Sequence, residues 1–148
     1  MMTDTMVLER PITEVLVEEF VQPEPQHERS WIRGWAVAPV RIRGLEHLMV
    51  LLTTLSPDND HAGVTDDLTG VWAQVKRLSD RWWVEGWNPT DDWPSVFVPE
   101  GWLERTGRRS MDDHACWSHP VAAELIWAFL DGRSITGAIR LPAPGRQP

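Results

Sequence analysis

Apolar positions change their period several times along this chain of 148 residues, and each change marks an element. Residues 11–22, PITEVLVEEFVQ, place Ile12, Val15, Leu16, Glu19 and Phe20 near helical spacing. Val15, Val17, Glu19 and Val21 alternate as well, so a helix and a strand fit equally well. The polar, proline-containing stretch 23–30 reads as a loop, and WIRGWAVAPVRIRG (31–44) as strand material broken at Gly34 and Pro39. Leu45, Leu48, Met49, Leu52 and Leu55 then fall on one helical face, although LMVLLTTL also suits a buried strand.

TDD (65–67) can cap a helix in which Leu68, Val71, Trp72, Val75 and Leu78 form the apolar face, with Trp72 in the core. RWWVEGW (81–87), NPTDDWP (88–94) and SVFV (95–98) predict strand, loop and returning strand. PEGWLERTG (99–107) predicts a short helical piece stopped by Gly107. A further helix starts at SHP (118–120), with Ser118 as cap and Pro120 in the first turn, and ends at Gly132. SITGAIRL (134–141) alternates as a closing strand, and 142–148 reads as a flexible tail. Strands and helices mix without a regular βαβ rhythm. The expected architecture is therefore α+β: a mostly antiparallel sheet with two or three helices packed on one face, in a single domain spanning 1–148.

Charge changes this picture at one end only. The net charge of −8 is concentrated in an acidic N-terminal segment, 1–30, where over residues 1–28 Asp4, Glu9, Glu14, Glu18, Glu19, Glu24 and Glu28 stand against Arg10 alone. Such a segment repels phosphate backbones and attracts basic partners at long range, so direct nucleic-acid binding is disfavoured. Apolar runs such as LMVLL at 48–52 fall far short of the ~20 residues that cross a bilayer, and residues 1–11 carry no secretory pattern. With Cys116 as the single cysteine, these features lead to the expectation of a cytoplasmic protein without a disulfide framework.

Ten tryptophans and no tyrosine make the aromatic positions conspicuous. In 81–87, Trp83, Glu85 and Trp87 share one side of a strand while Trp82 and Val84 take the other, with Trp93 in the loop and Trp102 beyond it. One side must be packed, because a buried indole hides ~150–250 Å² of surface. The other side would hold indoles flanking a carboxylate, suited to a cation, a sugar face or a partner's arginine.

Two other stretches hold candidate chemistry. SMDDHACWSHP (110–120) gathers Asp112, Asp113, His114, Cys116 and His119 ahead of a helix N-terminus. That is a possible nucleophile–base set or a partial metal site, or simply a capped loop around a buried thiol. DNDHAGVTDDLT (58–69) sets Asp58, Asp60, Gly63 and Asp66 at the first, third, sixth and ninth places of a calcium loop. Ala62, Thr65 and Thr69 occupy its fifth, eighth and twelfth places, so the ligand set fails.

No phosphate loop, dinucleotide fingerprint, nucleophile elbow or zinc-protease motif occurs. The resulting expectation is a non-enzymatic acidic binding protein of inhibitor, immunity, anti-defence or phage accessory type. It would use no cofactor or metal and engage a basic protein partner through Trp83, Glu85, Trp87, Trp93, Trp102, Glu18 and Glu19; self-association is compatible with this reading. The alternatives are a small hydrolase or isomerase using Cys116, His114, His119 and Asp113, and an intracellular binder of small aromatic or sugar ligands.

Overall fold

The structure, a computed structural model, describes residues 28–34, 38–102, 104 and 116–142. Seven strands form one antiparallel sheet. They are β1 (Arg29–Arg33), β2 (Val40–Arg41), β3 (His61–Asp66), β4 (Trp72–Leu78), β5 (Arg81–Trp87), β6 (Ser95–Pro99) and β7 (Ala138–Pro142). The sheet order is β2-β1-β3-β4-β5-β6-β7. Two helices complete the described fold: α1 (Leu45–Thr53) between β2 and β3, and α2 (His119–Leu130) between β6 and β7. The class is mixed α+β, as the sequence predicts. The acidic residues 1–27, the helical piece predicted at 99–107 except for residues 99–102 and 104, and residues 143–148 of the predicted tail lie outside the described residues.

The main core joins alternate strand positions to both helices. Trp31, Ala62, Val64, Ala73, Val75, Trp82, Val84 and Phe97 meet Leu48 and Leu52 of α1, and Ala122, Leu125, Ile126 and Phe129 of α2. α2 lies against β3, β4 and β5, and α1 packs on α2. Leu48 and Leu52 are fully buried, so each contributes about 1.5–3 kcal/mol. Phe129 meets Phe97 edge-on at 5.5 Å and sits over Gly86, where a Cβ would come within 2.6 Å of the Phe129 ring. The helix therefore needs a glycine on β5. Gly34 ends β1 at φ +33°, and a Cβ there would overlap the Asn59 side-chain amide.

One predicted helix is corrected. Residues 72–78 are β4, the central strand, paired with β3 on one side and β5 on the other. The capping chemistry at TDD is present but serves a turn. Asp66 Oδ1 accepts the backbone N–H groups of Leu68 and Thr69 at 3.0 and 3.1 Å. Gly70, at φ +81°, then sends the chain back, and Asp66 N–H donates to the Val71 carbonyl. Val71, Ala73 and Val75 are buried at period two, a pattern that the overlapping helical spacing of Val71, Trp72, Val75 and Leu78 conceals. Partners on both sides outweigh the local preference. Gly63 and Asp66, read as members of a loop over 58–69, stand in β3.

The sheet splits on its far side. β5 and β6 pair only through Glu85–Val96 and Gly86–Ser95. Beyond that point, residues 116–117 enter: Trp82 and Trp117 exchange backbone hydrogen bonds at 2.8 Å, and the Trp117 indole donates to the Phe97 carbonyl. Arg81 fastens the segment by donating to the Cys116 carbonyl. A second apolar cluster forms there on the other side of β5 and β6, from Trp83, Val96, Val98, Trp102 and Cys116.

Candidate functional site

The alternation expected of β5 holds: Trp82 and Val84 enter the helix-side core, whereas Trp83, Glu85 and Trp87 take the opposite side. Their exposures differ sharply. Trp83 is 3% exposed and Trp102 1%, both in the second cluster, so neither offers surface. Trp83 donates its indole N–H to Glu85 Oε2 at 2.9 Å and so positions that carboxylate. Trp87 is half-buried, and Trp93 is exposed. Glu18 and Glu19 lie outside the described residues, as do His114, Asp112 and Asp113. Cys116 is fully buried, and His119 packs its ring against Trp82 at 5.5 Å.

What the sequence reading missed is the partner strand. Trp72 stands directly opposite Trp87, with ring centroids 6.1 Å apart and planes tilted by 31°. The next register pair on the same side is Gln74 and Glu85. Beside Gln74 comes Gly63 of β3, where a Cβ would meet open space, and then Ile32 of β1, which is exposed. A period-two reading of 71–78 would have placed Trp72 and Gln74 beside Trp87 and Glu85.

Two neighbouring loops extend this patch. The turn between β3 and β4 exposes Leu68, and the loop between β5 and β6 exposes Trp93. They lie close together, since a Cβ on Gly70 would sit 3.3 Å from Pro89. Residues 66–70 and 88–94 contain Asp66, Asp67, Asp91 and Asp92 and not one lysine or arginine. Asp91 is engaged by Arg140 at 2.9 Å, and Asp67 accepts from the Ser30 hydroxyl. Lys76, the nearest base on this side of β4, turns to Asp60 at 3.9 Å.

The Leu68 turn is held from beneath. Arg29, 1% exposed, donates Nε to Asp66 at 2.8 Å and Nη2 to Asp131 at 2.6 Å, and lies 4.4 Å over the Trp127 ring. Burial by itself would raise the Asp66 carboxyl pKa. The Arg29 hydrogen bond, the Thr69 and Leu68 N–H groups and the Arg29 charge outweigh it and hold the pKa below its ordinary value. At Asp131, burial is likewise outweighed by Arg29 and Arg133, and the pKa is lowered. This clasp ties β1, β3 and the C-terminal end of α2 together.

A cleft of about 490 Å³ opens at that end of α2, lined by Phe97, Leu125, Phe129, Ile135, Arg133 and Arg140. Both guanidinium groups are already answered: Arg133 pairs with Asp131, and Arg140 with Asp91. Among the described residues, no three His, Cys, Asp or Glu side chains gather as metal ligands, and no helix is long and apolar enough to cross a membrane.

Fold and site together define an α+β domain with a half-buried indole pair at one end of an antiparallel sheet, beside two loops that carry aspartates and no lysine or arginine. Comparison with protein-family models, with curated proteins and with solved structures finds no match.

Proposed function

We propose that the protein is a non-enzymatic, cytoplasmic binding protein of the inhibitor, immunity, anti-defence or phage accessory type, which docks a basic protein partner on the Trp72–Trp87 end of its sheet. In this reading the helices cover one face of the sheet, and the opposite face is kept for recognition. The observation that carries it is the cross-strand indole pair, half-buried on the side away from the helix core, continued by exposed Leu68 and Trp93 and bordered by loops whose only charged residues are aspartates, of which Asp66 and Asp91 are paired with Arg29 and Arg140. Indoles at the centre of an interface supply affinity, while surrounding carboxylates accelerate encounter with a cationic partner. Glu18 and Glu19 add long-range attraction from the acidic segment.

Trp83 and Trp102 act here as support, and Trp87, Trp93 and Trp72 as the docking surface. The Cys116–His119 alternative gains nothing from a fully buried thiol in the Trp83 cluster and a histidine whose ring meets Trp82, of the other cluster, at a 59° tilt. The test is affinity capture from an extract of the source cells, comparing wild type with Trp72→Ala and Trp87→Ala at salt of about 50 and about 500 mM. A partner retained by wild type, weakened by salt and lost with either variant is expected. Identical recovery by all three proteins at both salt levels would refute the proposal.

A further inference from the structure

Resting on this reading, we infer that the Trp72–Trp87–Glu85 group is a subsite for a single arginine side chain of the partner. Three features select a guanidinium. Trp72 and Trp87 present adjoining indoles tilted by 31°, a wider π surface than a single ring offers to a flat cation. Glu85 lies two residues from Trp87 on the same side, ~7 Å along the strand, within the span of a guanidinium that stacks on one group and donates to the other. Its Oε2 is fixed by the Trp83 indole N–H, and its Oε1 has no partner among the described residues.

Gln74, opposite Glu85, supplies an amide oxygen as a further acceptor. Gly63 leaves open space beside it through which an aliphatic stem can approach. Among the described residues, the cations nearest this group are engaged elsewhere. Lys76 is turned to Asp60, and Arg41, on the row of Trp72 but three strands away, faces Glu28 at 3.8 Å. Lysine fits less well, because a compact ammonium cannot lie flat on the indoles and bond the carboxylate with a second donor at the same time.

The probe is a blocked Gly-Arg-Gly tripeptide, with lysine and citrulline counterparts, titrated into the ¹⁵N-labelled full chain. Indole N–H signals are assigned with Trp72→Phe and Trp87→Phe. The Trp72 and Trp87 signals should move with the arginine peptide, about fivefold or more tighter than with lysine, and stay still with citrulline. Glu85→Gln keeps an acceptor for the Trp83 indole, so the remaining indole signals should hold their positions while arginine binding weakens about tenfold.

Equal shifts from lysine or citrulline, movement confined to Trp93, stronger response to a methyl glycoside, or indifference to Glu85→Gln would each overturn the arginine subsite. If the peptides fail while Trp72→Ala still abolishes partner capture, the docking surface stands and only its arginine is lost. If capture is also unaffected, the proposed function falls with it.

Discussion

Arg29→Met is the most informative single change in this protein. The substitution keeps most of the apolar stem beside Trp127 and removes the guanidinium that joins Asp66 to Asp131. Asp66 is 2% exposed and would retain only the Leu68 and Thr69 N–H groups as donors, leaving a buried carboxylate short of its countercharge. Breaking such a pair from one side costs about 3–5 kcal/mol, and most of that penalty belongs to Asp66. Asp131 keeps Arg133 at 2.9 Å and is 20% exposed, so its share is smaller. Against a total stability of ~5–15 kcal/mol for a domain, the loss is large.

The pH dependence carries a sign. Both carboxyl groups titrate below their ordinary value of 3.8 in the folded chain, so the unfolded chain binds more protons as pH falls through that range. Their stabilisation is complete well above 3.8 and is lost as pH drops through the lower folded-state values. Urea unfolding followed by circular dichroism should therefore show Arg29→Met much less stable at pH 7, with an unchanged slope in urea. The two proteins should converge toward pH 2. A loss below about 1 kcal/mol at pH 7, or a constant gap from pH 7 to 2, would refute the assignment of the clasp.

Other changes separate packing from docking. Gly86→Ala drives a methyl group into the Phe129 ring and should cost about 1–3 kcal/mol, read as a lower Tm; an unchanged Tm would mean that α2 is free to move away from β5. Trp72→Ala and Trp87→Ala should weaken partner binding by about 1–3 kcal/mol each and stability by less, measured by calorimetry with the captured partner and by urea titration. Cys116, fully buried, should resist alkylation by a maleimide under native conditions and react rapidly in urea, as mass spectrometry would register; fast native labelling would contradict its place in the second cluster.

Elements bounded by punctuation were legible in the sequence. Gly34 and Pro39 divide β1 from β2, Ser118 and Gly132 bracket α2, and NPTDDWP separates β5 from β6. Each depends on local backbone preference, which a single sequence carries. The failure at 65–78 has the opposite cause. Asp66 does satisfy the N–H groups that follow it, as a helix cap would, but the fate of the next residues is set by β3 and β5, whose pairing no local window contains. The same non-local pairing puts Trp72 against Trp87. The half of the candidate site on β5 was therefore readable from alternation, and the half on β4 was not.

The split between β5 and β6 explains why recognition is assigned to one end of the Trp-rich hairpin and not to its middle. Where the strands separate, Trp117 bridges to Trp82, and Trp83 and Trp102 are sealed with Val96, Val98 and Cys116. Their burial already contributes several kcal/mol to folding, and that energy is no longer available for binding. At the paired end, Trp72 and Trp87 are only half-buried. On the order of 50 Å² per ring corresponds to about 1 kcal/mol each, recoverable only when a partner covers them. Exposed Leu68 and Trp93 add to the same reserve. Folding thus consumes the indoles near the split and leaves those beside the aspartate-bearing loops, which is the distribution the proposed docking surface requires.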